Sequence, residues 1–116
     1  MEIGYVYVLV IDNKPIYVGQ SVSPKKRFNQ HKSNHKRNVD KYLYNNIKDF
    51  SKVEMKILKV CPKYELDYYE MFYIKKCIDK KIPILNDCVK AQTYCVSKYK
   101  MTIQEYNTKL FIKINI

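Results

Sequence analysis

Glu70 is hard to explain by folding needs alone in this 116-residue sequence. Residues 63–80 read as the longest helix, dense in aromatics and stopped by Pro83. At about 100° per residue, Leu66, Tyr69, Tyr73, Ile74, Cys77 and Ile78 make its buried stripe, and Glu70 falls near the middle of it. A buried carboxylate is costly unless a cation or hydrogen bonds compensate. It is therefore either half of a structural ion pair with a lysine or arginine, or a metal ligand or catalytic acid. Asp67, nearer the edge of the stripe, is the weaker candidate. Arg27 and His31 stand four apart and share one face of a helix. An arginine grips a phosphate through two parallel hydrogen bonds; the plainer alternative is two exposed polar residues. Tyr7 and Tyr17 fall on two neighbouring strands. A connection of odd length puts both hydroxyls on one face, and a four-residue connection separates them.

The charge balance points to a polyanion as partner. Lys+Arg is 22 against 11 for Asp+Glu, giving a formal net charge of +11. Nucleic acid leads as the partner and an anionic membrane surface comes second. Lys25, Lys26, Arg27, Lys32, Lys36, Arg37 and Lys41 cluster with Asp40 as the only acid among them, over half the net charge on one short stretch. Clustering favours a binding face over a uniform coat, with Lys25, Lys26, Lys32, Lys36 and Arg37 as its backbone contacts. The sequence has two glycines, Gly4 and Gly19, which excludes the phosphate-binding loops that need several. Cys61, Cys77, Cys88 and Cys95 contain no Cys-x-x-Cys pair, so zinc ribbons and fingers are excluded too. No apolar run is long enough to span a membrane. The first residues lack a leader pattern, so free thiols in a reducing cytoplasm are expected.

The elements that must position these groups follow from the pattern. Residues 3–11 are apolar on both parities, a strand covered on both faces. Asp12-Asn13-Lys14-Pro15 is turn chemistry, and Ile16-Tyr17-Val18-Gly19 is the second strand of a hairpin. Ser23-Pro24 opens a basic helix over about 24–34. Val39, Leu43 and Ile47 predict a second helix over about 38–49, and residues 53–61 predict a third strand ended by Pro62. Thr102-Ile103-Gln104-Glu105 is a capping box, so a short C-terminal helix is expected. The expected fold is α+β, a small three-stranded antiparallel sheet flanked by helices in the order β-β-α-α-β-α, plus a short C-terminal helical extension.

Together these residues resemble the GIY-YIG nuclease family. Its first motif appears altered as Tyr5-Val6-Tyr7, with Gly4 one residue early, and its second as Tyr17-Val18-Gly19. Arg27 and His31 follow at the family's distances. Glu70-Met71-Phe72-Tyr73-Ile74-Lys75 matches the family's glutamate turn, and Asn86 its closing asparagine. The likeness covers about residues 3–90, so a nuclease domain over 1–90 is expected, with 91–116 as an extension packed on it. The resemblance implies a metal-dependent endonuclease cutting DNA, most simply double-stranded, as a monomer or a DNA-induced homodimer. It implies Glu70 as the ligand of Mg²⁺ or Mn²⁺, Arg27 as the stabiliser of charge on the phosphate, and Tyr7 or Tyr17 as the group that positions or deprotonates water. His31 would relay a proton or bind phosphate, and Asn86 would orient the site. A free tyrosine titrates near about 10, so a base of this kind needs positive charge beside it, which the basic helix could supply. A compact nuclease from an AT-rich phage or viral genome, acting in a host cytoplasm, suits the composition. The alternatives are a non-catalytic nucleic-acid-binding module on the same fold, and a tyrosine-rich protein that binds another protein.

Overall fold

A computed structural model gives the fold and describes residues 2–86. Strands β1 (Ile3–Ile11), β2 (Lys14–Ser21) and β3 (Val53–Pro62) form one antiparallel sheet in the order β2-β1-β3. Helix α1 spans Pro24–Lys36, α2 is the single turn Tyr42–Asn45, and α3 spans Leu66–Asp79. The α+β class and the element order are those expected. The C-terminal helix expected after Thr102 lies outside the described residues.

β1 is central because both of its faces are apolar. Val6, Val8 and Val10 point to one side and pack with Val18, Cys61, Leu66, Met71 and Ile74, which puts α3 on that face. Tyr7 and Leu9 point to the other and pack with Leu43, Tyr44, Ile47, Phe50 and Val53, with Phe28 of α1 against them. The alternation of period two along one strand thus divides the core into two layers. Gly4 faces α3: a Cβ there would come within 2.4 Å of Leu66 Cδ1, so the missing side chain lets the helix seat on β1.

Three expectations are corrected. The turn between β1 and β2 has only two residues, Asp12 and Asn13, both at positive φ (52° and 62°). This is the pattern of a type I′ turn, which Asp and Asn tolerate because their short polar side chains accept the left-handed region. The second helix does not run over 38–49. Asn38, at φ 55°, ends the chain's first helical segment instead of beginning another. Asn46 then bonds back to the Tyr42 carbonyl, and Asp49 caps a 3₁₀ turn over Phe50–Lys52. Asn and Asp side chains compete here with the helix backbone. The buried stripe of α3 is Leu66, Met71 and Ile74. Ile78 is 49 % exposed near the helix end, where Lys81 turns the chain at φ 57°.

Candidate active site

Tyr7 and Tyr17 face the same side of the sheet, by a route the connection length does not give. A two-residue turn pairs Ile11 with Lys14 and Val10 with Pro15, a register that would send Tyr17 to the face opposite Tyr7. Between Leu9 and Val10 the register shifts by one, so Leu9 pairs with Tyr17 and Tyr7 with Gly19. Ile16 is the extra residue of this β-bulge. A second shift, between Val6 and Tyr7, lies on the β3 side. Bulges re-aim side chains and concentrate near functional sites. The two phenol rings lie 6.4 Å apart. Gly19 is needed here for space: a Cβ would come within 2.5 Å of Tyr7 Oη and 2.9 Å of Tyr17 Cε1.

Helix α1 supplies the next layer. His31 has no exposed surface. Its Nε2 is 2.7 Å from Tyr7 Oη and its Nδ1 is 2.9 Å from Tyr44 Oη. Burial, with Arg27 and Lys41 nearby, lowers its pKa to about 4, so the ring is neutral at pH 7. A ring enclosed in this way lies behind the phenols and is not placed to touch a phosphate. Arg27, half-buried, faces Tyr7 and Tyr17, and its guanidinium donates to Gln30 at 2.8 Å. Burial raises the pKa of both phenols, Tyr7 the more strongly. Arg27 opposes the shift but does not reverse it. The depression expected from the basic helix is therefore absent, because desolvation of a phenolate outweighs one partly exposed cation. Lys25, Lys26, Lys32, Lys36 and Arg37 are all exposed.

Helix α3 supplies the carboxylate. Glu70 is half-buried, and burial raises its pKa, opposed by the hydrogen bond from Gln20 and assisted by Asp67. The Gln20 amide donates to Asp67 Oδ1 at 2.7 Å and also to Glu70 Oε2. Glu70 acts electrostatically on both phenols. Among the described residues the ion pairs are Lys63–Glu2 and Lys75–Asp79, so Glu70 is not half of a structural pair with a described lysine or arginine. Asn86 acts as a piece of strand. Its Oδ1 accepts from Val18 N at 2.8 Å and its Nδ2 donates to Val18 O at 2.7 Å, while Leu85 N donates to Ile16 O at 2.7 Å. This covers the outer edge of β2 beside Tyr17.

The sequence pattern of the GIY-YIG catalytic domain matches residues 3–82 of the 116. The chain belongs to the GIY-YIG family. Comparison with curated proteins gives no match, and neither does comparison with solved structures. Membership places this GIY-YIG domain among nucleases. The fold brings Tyr7, Tyr17, Arg27 and Glu70 within electrostatic reach of one another, with His31 bonded to Tyr7 and Asn86 at the β2 edge, just past the matched region. Gln20, Asn34 and Tyr44 join the network without having been anticipated. Gln20 stands directly after the Tyr17-Val18-Gly19 motif, and that adjacency is the only signal of it in the sequence. Tyr44 lies on a segment whose helix was misplaced, so its direction was not readable.

Among the described residues no three acidic, histidine or cysteine side chains cluster around a cation site. What is present is one half-buried carboxylate with no described cation beside it and a second carboxylate on the same amide. Mg²⁺ and Mn²⁺ favour oxygen donors, and Mg²⁺ keeps several of its waters and often takes only one or two carboxylates. The donor set fits such an ion.

Proposed function

We propose that this chain is a metal-dependent endonuclease that hydrolyses DNA phosphodiester bonds, with one active site per chain. The observation that carries the reading is Glu70: half-buried, with no described cation beside it, and in electrostatic reach of two phenols that Arg27 also faces. Glu70 would hold Mg²⁺ or Mn²⁺, and Gln20 would keep its carboxylate aimed at the site. Held there, such an ion would supply Lewis-acid stabilisation of the leaving oxygen. Arg27 balances the charge that builds on the phosphate oxygens as the bond to the attacking water forms. Tyr7 or Tyr17 orients that water. Tyr7 is the more tightly held, with His31 and Arg27 both at its oxygen. Asn86 keeps β2 in place, and with it Tyr17. Of the exposed cations of α1, Lys26 and Arg37, on the Arg27 side, would hold the backbone of double-stranded DNA without reading sequence. One site cuts one strand, so a double-strand break needs a second copy assembled on the DNA.

The test is a digest of plasmid, linear duplex and single-stranded DNA with and without Mg²⁺ or Mn²⁺. Cleavage is expected only with metal, and Glu70→Gln is expected to remove it while leaving DNA affinity within about twofold, because affinity resides in the phosphate contacts. The same substitution should keep or raise the thermal midpoint of the metal-free protein, since it takes a costly charge out of a half-buried site. Cleavage that survives Glu70→Gln would refute the metal role.

A further inference from the structure

Helix α2 has a buried side and an outer side, and the two carry different tyrosines. Tyr44 points inward, its hydroxyl 3.1 Å from Asn34 Nδ2 and 2.9 Å from His31 Nδ1. Tyr42, two residues earlier on the same single turn, lies on the far side and is 65 % exposed. One exposed tyrosine alone needs no explanation. This one is set apart by rigidity, charge and place.

The backbone under the ring is pinned. Val39 N donates to Asn34 O at 3.0 Å, Asn45 N donates to Lys41 O at 3.0 Å, and Asn46 Nδ2 donates to Tyr42 O at 2.7 Å. The Asn45 amide holds Asp40, donating to its Oδ1 at 3.0 Å. The ring is also bordered by cations. Every residue from 36 to 42 is exposed, and Lys36, Arg37 and Lys41 stand there against Asp40 alone. The place is the border of the candidate active site. Arg37 donates to Asn34 Oδ1 at 2.8 Å, so the Arg27 side of α1 leads to α2, and Lys41 is near enough to act on the charge of His31. A fixed aromatic face between cations is the arrangement that holds single-stranded nucleic acid: the cations take phosphates and the ring takes a base.

We propose that Tyr42 is a stacking platform for one unpaired base of bound DNA, between phosphates held by Arg37 and Lys41. The proposal deepens the nuclease reading and rests on it for cleavage, but its binding step stands apart from that reading. Both faces of a base inside a continuous duplex are covered by its neighbours. Tyr42 can stack only where a face is open, and an already unpaired nucleotide gives up least on leaving the helix. Every base has such a face, so the ring selects DNA structure and not sequence. The preferred substrate is therefore a duplex interrupted by an unpaired nucleotide.

The experiment compares two duplexes of the same sequence, one continuous and one with a single central unpaired 2-aminopurine. Each is titrated with the full chain at fixed salt, without divalent metal. The wild type is expected to bind the interrupted duplex roughly tenfold more tightly and to quench the 2-aminopurine emission as the base stacks. Tyr42→Phe should keep both the preference and the quenching, since the ring does the stacking. Tyr42→Ala should lose both, with affinity for the continuous duplex kept within about twofold, because that affinity comes from phosphate contacts. Lys41→Gln should weaken both duplexes by a similar factor and keep the preference. Equal wild-type affinity for the two duplexes, or none for either, would overturn the proposal. So would a preference that survives Tyr42→Ala or one that Lys41→Gln abolishes. An unchanged thermal midpoint shows that a variant is folded, and the wild-type comparison decides even if one is not. If the wild-type chain cleaves no DNA with Mg²⁺ or Mn²⁺, the nuclease reading fails, and the metal-free titration still decides the role of Tyr42.

Discussion

His31 has no exposed surface and lies between two phenols, so a proton gained there must be accommodated without water. A ring protonated on both nitrogens would donate to both phenols, and the Tyr44 oxygen already accepts from Asn34. The folded protein resists that proton: the pKa of His31 is about 4, against 6.5 for the free side chain. The linkage has a definite sign. Between these values the unfolded chain binds a proton that the folded one refuses, so stability rises with pH across the window. His31's share is complete above about pH 6.5, is lost as the pH falls toward about 4, and amounts to about 3 kcal/mol. Denaturant melts of the wild type and of His31→Gln at a series of pH values would read it. The difference between the two should shrink by roughly that amount toward pH 4, and a constant difference would show that His31 is not held neutral by the fold. Glu70 is shifted upward by the same cause, burial, opposed by Gln20. One amide thus tempers the carboxylate and aims it, which is a reason to count Gln20 with the site.

The elements explain why most of this could be read from the sequence and some could not. The doubly apolar β1, the Pro24 start of α1 and the aromatic density of α3 are local signals, and each produced its element. Glu70 was legible because a helix has one period and a carboxylate on the wrong side of it stands out. Tyr7 and Tyr17 were legible as a pair but not as a shared face, because facing depends on register. The two-residue turn would have separated them, and the bulge at Ile16 brings them together. A bulge has no strong residue signature. The segment from Asn38 to Lys52 departs from its pattern for a related reason: the apolar spacing of Val39, Leu43 and Ile47 is helical, but the Asn46 side chain donates to the Tyr42 carbonyl and Asn38 takes a positive φ. The hairpin turn offers a direct test of element-level strain. Asn13 sits at φ 62°, where glycine is free of steric cost and a β-branched residue is not. Asn13→Gly should leave stability equal or raise it by about 0.5 kcal/mol, allowing for the lost bond from Lys56, whereas Asn13→Val should cost about 1–2 kcal/mol. Thermal or denaturant melts check both, and equal midpoints for the two variants would mean that the turn does not hold this conformation.

On the scale of the whole molecule, an excess of eleven positive charges must be divided into charge that meets the substrate and charge that only faces water. Helix α1 makes the division geometrically. Its buried side carries Phe28, His31 and His35, packed on Phe50, Tyr7 and Tyr44. Arg27, Gln30, Asn34 and Arg37, spaced at i, i+3, i+7 and i+10, run along the flank that leads to the phenols, tied by the Arg27–Gln30 and Arg37–Asn34 hydrogen bonds. Lys26 lies beyond Arg27 on the same side. Lys25, Lys32 and Lys36, at i, i+7 and i+11, stack on the opposite flank. DNA bound with a phosphate at Arg27 lies along the first flank, so the basic residues of α1 are not equivalent. Each phosphate contact contributes about −0.9 to the slope of log affinity against log salt. Lys26→Ala should therefore weaken duplex binding and make that slope shallower by about 1. Replacing Lys25, Lys32 and Lys36 together by alanine should leave the slope nearly unchanged, although it removes three times the charge. Arg37→Ala should also flatten the slope, but it frees the Asn34 amide as well, which makes Lys26 the cleaner probe. Fluorescence anisotropy on a short duplex without divalent metal, over a salt series, separates the cases. A slope that follows the number of cations removed, irrespective of flank, would mean that the whole helix serves as a diffuse electrostatic surface and that DNA is not docked along its Arg27 side.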